Sequence, residues 1–411
     1  MHKEEIGNQP GGADSNLPPV AYAWKYLSGL TELPHRASAS DAELAAADWL
    51  SEQLAGMGYQ VERQDFAAPR DTLYAGPPLI FVGVVGAVFL GLAFPWVGAL
   101  ASVLATLPLI GEMLGRSWDF DLLLRRHPSR NVVARHNVSG TPPRVVVMAH
   151  YDTQKGSQLF HPGFAPFVTP LFSLAYLALA LVPLTLIIRA IWPADWTGPV
   201  LAAAGIVLLA VGAFLTLCRF TGRYINGAND NGSGTAVALA LARRLAESGE
   251  PRAGEVVFVF TGSEEVGERG AKHFFRTGGK TLSRSDTRVI NLDNIGAGRL
   301  HYLLGEGMLK YLPYDPGLLA LAARRAEREG AGFLTPLKNL LLPTDGLIAS
   351  TNGFPAITFI AMNDQGKIPH YHWHSDVLAN VEQDLIDQEE EVLWRYLGDV
   401  RQAARSAGRA Q

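Results

Sequence analysis

Cysteine is nearly absent. Cys218 stands alone in 411 residues, which excludes an intramolecular disulfide and the zinc sites built from paired cysteines. Any metal must therefore be held by His, Asp and Glu. A basic excess is missing too. The 35 Lys and Arg against 39 Asp and Glu leave a net charge of −4 and a pI near 6.3, so no basic surface invites nucleic acid. A secretory leader is not visible: residues 1–20 are polar and read as a disordered tail.

Charge is also missing locally. Residues 72–111, 163–188 and 196–218 contain no Asp, Glu, Lys or Arg. A helix crossing the hydrocarbon core needs roughly 20 apolar residues. The two later runs each supply one crossing, separated by "RAIWPAD". The first is too long for one helix and fits two short ones, broken near "FPWVG", where Pro, Trp and Gly suit an interfacial turn. The sequence is that of a membrane protein.

What is present between these runs is an α/β pattern. Residues 38–56 read as an amphipathic helix capped by Ser40 or Asp41 with Glu43 close behind. "YQVERQDF" alternates as a strand does. "RVVVMAH" (144–150), "EVVFVF" (255–260), "RVINLDN" (288–294) and "PAITFIAM" (355–362) are short β-branched runs, with helical patterns at 233–247 and 316–329. Near-continuous apolar strands alternating with helices imply a mostly parallel central sheet flanked by helices.

Polar residues gather just past the ends of those strands, where open α/β sheets place their sites. His150 and Asp152 follow the first run, Glu264 and Glu265 the second, and Asp293 the third. Asp230 lies in the glycine-rich "NGANDNGSG", and "IPHYHWHSD" offers His370, His372 and His374. Each element alone has an ordinary reading: a surface pair, a helix cap, a loop carboxylate, a solvated face. Together every strand end delivers a metal-binding type, and none delivers a Ser or Cys nucleophile with a base. Imidazole and carboxylate without thiolate suit catalytic Zn²⁺, and two such sites can share a bridging carboxylate.

"VVVMAHYDTQKGS", "GANDNGSGTAVALALARRL", "FTGSEEVGERGAKHF", "VINLDNIGAG" and "TDGLIASTNGFPAITF" resemble, in this order, the di-zinc aminopeptidases of metallopeptidase family twenty-eight, relatives of glutamate carboxypeptidase and glutaminyl cyclase. The resemblance covers about 24–70, 127–155 and 224–395, leaving the apolar runs outside. It implies a zinc exopeptidase fold with two Zn²⁺, for which cobalt or manganese can substitute. His150 and Asp293 would hold one ion, Glu265 and a C-terminal histidine the other, and Asp230 would bridge them. Glu264 would be the general base, and Asp152 would orient His150. An ungapped match of "YHWHSDVLAN" to the family's last motif selects His372 over His374 and leaves Tyr371 either an oxyanion donor or a structural residue. Gly346 stands where relatives often carry histidine. The function so implied is an aminopeptidase acting on peptides. A catalytically silent scaffold of the same fold and a glutaminyl-cyclase-like acyltransferase are the alternatives, and a homo-oligomer is possible.

The resemblance also constrains the membrane topology. Segments before and after each apolar block belong to one catalytic domain, so each block must cross an even number of times. The expected order is a tail over 1–20, catalytic segments at 21–71, 112–162 and 219–400, hairpins at 72–111 and 163–218, and a C-terminal tail over 401–411 that looks like a frayed helix end. Arg70, Arg116, Arg125, Arg126, Arg219 and Arg223 flank the catalytic side, while the opposite turns carry only Arg189. An excess of basic residues marks the cytoplasmic side, which predicts a cytoplasm-facing domain on a prokaryotic-type inner membrane.

Overall fold

The computed structural model describes residues 21–114, 124–136, 144–249, 255–330, 332–338 and 343–407; the tail expected over 1–20 and Arg116 lie outside them. In chain order the strands are β1 (Tyr59–Pro69), β2 (Arg126–His136), β3 (Val145–His150), β4 (Lys155–Gly156), β5 (Arg223–Tyr224), β6 (Val256–Thr261), β7 (Arg288–Leu292), β8 (Arg299–Leu303), β9 (Gly305–Glu306), β10 (Leu312–Pro313), β11 (Leu334–Leu337) and β12 (Ala356–Met362). The α-helices are α1 (Ala23–Thr31), α2 (Asp41–Gly56), α3 (Gly76–Ala93), α4 (Pro95–Met113), α5 (Ala165–Ile191), α6 (Thr197–Thr221), α7 (Gly234–Glu247), α8 (Arg269–Arg276), α9 (Pro316–Glu329), α10 (Asp345–Thr351) and α11 (Gln383–Ala407).

Eight strands form one sheet in the order β1-β2-β6-β3-β7-β12-β8-β11. The centre, β6-β3-β7-β12, is parallel, while β1, β2 and β8 add antiparallel pairings. The unbroken apolar character of β3 has a direct cause. Val145, Val147 and Ala149 belong to the apolar cluster that includes residues of α1, α2 and α7, and Val146 and Met148 to the one that includes residues of α8 and α10, so both faces are buried. β3 lies between β6 and β7, and the chain changes winding direction around it. That places a crevice at the C-terminal ends of these three strands.

Local signals set the helix ends. Ser40 caps α2 by accepting the Glu43 amide, and the Glu43 carboxylate returns to the Ala39 amide at 3.0 Å, a reciprocal cap. At the other end of the chain α11 runs to Ala407, with Arg401 and Ala404 buried. Regular structure thus reaches into the segment read as a frayed end, because that helix face continues the core.

The apolar blocks form two helical hairpins, α3–α4 turning at Phe94 and α5–α6 turning at 192–196. All four helices are long and apolar enough to cross a membrane. The hairpins pack on each other: a side chain at Gly91 would collide with Leu186, and Gly212 backs onto Phe81 and Pro78. Residues 91 and 186 are near the turns, and 78 and 212 near the opposite ends, so both hairpins point the same way. Their outward faces carry Phe89, 70% exposed, and Ile206, 68% exposed, a surface that suits lipid rather than water. β4 and β5 pair where the second hairpin leaves and rejoins the domain.

Candidate metal centre

The three central strand ends and two loops deliver their side chains to one buried point. His150 is the last residue of β3, Glu264 and Glu265 follow β6 by a short turn, and Asp293 follows β7 directly. Asp230 lies in the irregular turn Ala228–Ser233 that opens α7. Its carboxylate faces both ways: Oδ1 is 3.4 Å from His150 Nε2 and Oδ2 is 3.0 Å from His372 Nε2. His150 Nε2 is also 3.6 Å from Asp293 Oδ1 and 3.9 Å from Glu264 Oε2, while His372 Nε2 is 3.0 Å from Glu265 Oε2. One ligand atom each from His150, Asp230 and Glu265 lie within 4.8 Å of one another, and so do atoms of His150, Glu264 and Asp293. All of the expected site residues are therefore brought together, Asp152 included. His374 points outward and is exposed.

A set of carboxylates that do not face the centre holds this arrangement. Asp152, fully buried, is 3.6 Å from His150 Nδ1. Its hydrogen bonds go elsewhere, accepting the Ser38 hydroxyl at 2.5 Å and the amides of Glu264 and Glu265 at 2.9 and 3.2 Å. Glu43 accepts the Ser263 amide at 2.6 Å. Three successive amides of the turn are thus fixed by two buried acids. Asp376 does the same for the opposite side, accepting the amides of Asn229 at 2.6 Å and Asp230 at 3.0 Å. Asn294 bridges the side chains of Asp230 and Asp293, donating at 2.9 and 2.8 Å. The guanidinium of Arg36, wholly buried, donates to the carbonyls of Tyr151, Asn226 and Gly227 and ties the loops on which His150 and Asp230 stand.

The electrostatics ask for cations. Burial alone would lower His372, but Glu265 and Asp230 outweigh it and hold the imidazole up at about 10. Burial opposes charge on His150 likewise, yet Glu264, Asp152, Asp230 and Asp293 keep it well above the ordinary range. Asp230 shows the converse: burial would raise it, and the two imidazoles hold it below the usual carboxylate range. Burial pushes Glu265 up to about 7. Burial also pushes Glu264 well above the ordinary carboxylate range, with His150 opposing and Asp345, Glu265 and Asp293 adding to it. Glu265 Oε1 is buried with no hydrogen-bond donor. Clustered buried carboxylates need positive charge among them, and this donor set fits divalent zinc.

The surroundings of the centre add a carboxylate that the sequence did not mark. Asp345, at the start of α10, is buried, accepts a hydrogen bond from Thr261 and is pushed by burial up to about 7. Next to it, Gly346 leaves no room for the histidine that relatives often carry: a Cβ there would lie 2.1 Å from Thr358 Oγ1 and 2.5 Å from Tyr314 Oη. The space is filled by a buried Tyr314–Glu306–Thr344 cluster instead. Tyr371 stacks on His372, with ring centroids 3.7 Å apart, and Phe160 meets the same imidazole edge-on at 4.5 Å.

Known proteins resemble this chain in part of its sequence and in its fold. Residues 211–397 match the model of Peptidase family M28, the family read from the motifs. Aminopeptidase YwaD of Bacillus subtilis is 44% identical over 71 residues, which is 17% of this chain and 15% of that protein. Leupeptin-inactivating enzyme 1 of Streptomyces exfoliatus is 25% identical over 170 residues, 39% of each chain. The chain thus aligns with well under two thirds of either curated relative. The fold is shared more widely. A glutaminyl cyclase from Porphyromonas gingivalis superposes with a TM-score of 0.56 at 18% identity, over 92% of this chain and 97% of that one. A zinc aminopeptidase from Bacillus subtilis does so at 0.54 and 15%, over 92% and 94%.

Proposed function

We propose that this protein is a membrane-anchored, zinc-dependent exopeptidase that removes N-terminal residues from peptides. The observation that carries the reading is Asp230, one carboxylate whose two oxygens face His150 and His372 from opposite sides. Such a carboxylate is suited to bridging two divalent cations. On one side it would be joined by His150 and Asp293, and on the other by Glu265 and His372. The ion pair would acidify a water and polarise the scissile carbonyl.

The chain's own residues supply the rest. Glu264 is buried beside the two positions, its Oε2 3.9 Å from His150 Nε2, so it is placed to accept the proton of the attacking water and return it to the departing amine. Asp152 and Glu43 keep its backbone in place through the three amides of the turn. The four apolar helices anchor the domain to a bilayer, and Arg70, Arg125, Arg126, Arg219 and Arg223 near their domain-side ends favour a cytoplasmic catalytic face.

The test is zinc stoichiometry together with hydrolysis of aminoacyl-p-nitroanilides by the purified full chain. Two zinc ions per chain and release of p-nitroaniline are expected. Glu264→Gln should keep the metal while turnover falls by a factor on the order of 10²–10⁴. Cyclisation of glutaminyl peptides without hydrolysis would instead make it an acyltransferase, and metal-free inactive protein would make it a scaffold.

A further inference from the structure

The charge that ends the first hairpin is not at the water surface. Glu112, the first charged residue after Asp71, sits in the last turn of α4 with its side chain only 16% exposed. Its partners lie in the catalytic domain. Oε1 takes the Arg269 guanidinium and Oε2 accepts Lys272 Nζ at 3.0 Å. Both cations are on α8 and nearly buried, and Lys272 also meets Glu268 at 3.1 Å.

α8 begins four residues after Glu265, and the connecting turn is tight. The amides of Gly267 and Glu268 donate to the Glu264 carbonyl at 2.9 and 2.7 Å, and the Arg269 amide donates to the Ser263 carbonyl at 3.0 Å. Gly267, at φ +99°, lies directly beneath the hairpin's carboxylate: a Cβ there would be 2.8 Å from Glu112 Oε1. The segment 263–269 is therefore held on one side by Glu43 and Asp152 and on the other by a residue of the apolar hairpin. Glu112 thus joins these two cations of α8 at a contact that is nearly buried, where losing a carboxylate partner is costly.

From this contact we infer that Glu112 is a positioning residue for the reaction. Through Arg269 and Lys272 the first hairpin sets the placement of Glu264 and Glu265, so that the catalytic turn is complete only with the hairpin seated. The inference rests on the reading of Glu264 as base and Glu265 as ligand. A displacement of the order of 1 Å at such groups costs about a hundredfold in rate.

The experiment compares wild type, Glu112→Gln, Glu112→Asp and Gly267→Ala, each as full chain in phosphatidylglycerol–phosphatidylcholine nanodiscs. It follows hydrogen exchange of the 262–270 amides in metal-free protein, zinc content, and kcat and KM on leucine p-nitroanilide. Glu112→Gln should speed exchange across 263–269 and lower kcat about tenfold to a hundredfold, with KM nearly unchanged and exchange in β3 and β7 unaltered. Glu112→Asp should restore part of the loss, and Gly267→Ala should reproduce it. Unchanged exchange at 263–269 in Glu112→Gln overturns the inference, as does uniformly faster exchange through the whole domain. If Glu264→Gln kept full turnover while Glu112→Gln still loosened the turn, the reading of the base would fail and the coupling would stand.

Discussion

Asp376 holds Asp230 by the backbone. Its Oδ2 accepts the Asp230 amide at 3.0 Å while Oδ1 takes the neighbouring Asn229 amide, so a buried acid that faces no proposed metal fixes the residue that would face both. Replacing it by Asn turns one acceptor into an NH₂ group pointed at an N–H. Metal affinity should fall about tenfold to a hundredfold, with the fold retained. Zinc titration of metal-free Asp376→Asn checks this; wild-type affinity would reduce Asp376 to a fold-stabilising role.

The two histidines of "YHWHSD" are separated by their surroundings. His372 is buried against Asp230 and Glu265, whereas His374 is exposed. His372→Ala should therefore lose one of the two expected metals, and His374→Ala should keep both. Elemental analysis of the purified variants decides it, since metal loss in His374→Ala alone would reverse the assignment.

These examples show where sequence reading reached and where it stopped. His150, Glu264, Glu265 and Asp293 were legible because each ends an apolar run, and a sheet of known winding brings strand ends together. Asn294 and the reach of Glu43 to the Ser263 amide were not, because a polar side chain looks the same in sequence whether it holds a distant backbone or meets water; Asp376 was visible only as part of the last motif. The parallel centre of the sheet followed from runs buried on both faces. The antiparallel strand β2 was missed: its "RHPSRNVVARH" mixes polar and apolar residues, as a strand between a peripheral neighbour and the core does. The hairpins were legible from length and missing charge, but Glu112 was not, since its partners are over 150 positions away.

Glu306 gives a pH dependence with a definite sign. It is wholly buried, accepts hydrogen bonds from the Tyr314 and Thr344 hydroxyls and the Thr344 amide, and burial pushes its carboxyl up from 4.5 to about 7. The folded state thus binds this proton more tightly than the unfolded chain. Its contribution is fully present below about pH 4 and is lost as the pH rises through 7, up to about 3 kcal/mol. Wild type should lose more stability than Glu306→Gln between pH 5 and 8. Denaturation midpoints at both pH values measure the difference, and equal slopes would show that Glu306 titrates normally.

Membrane orientation can be tested at the hairpin turns. The geometry makes both turns lie at one end of the bundle, since residues 91 and 186 meet near them and 78 and 212 meet near the catalytic domain. Trp96, Trp192 and Trp196 are exposed there, as aromatic side chains at a membrane interface are. Gly98 is a poor site for a probe, because a Cβ would lie 2.4 Å from the Gly91 backbone. Phe94 and Asp195 are exposed, and the native Cys218 is buried, so its background labelling should be low. With the basic residues and the catalytic domain on the cytoplasmic side, Phe94→Cys and Asp195→Cys should both react with an impermeant maleimide outside intact cells. Ser248→Cys, exposed on the catalytic domain, should react only after the membrane is opened. Labelling of Ser248→Cys alone in intact cells would invert the orientation, and opposite behaviour of the two turns would break the shared direction of the hairpins.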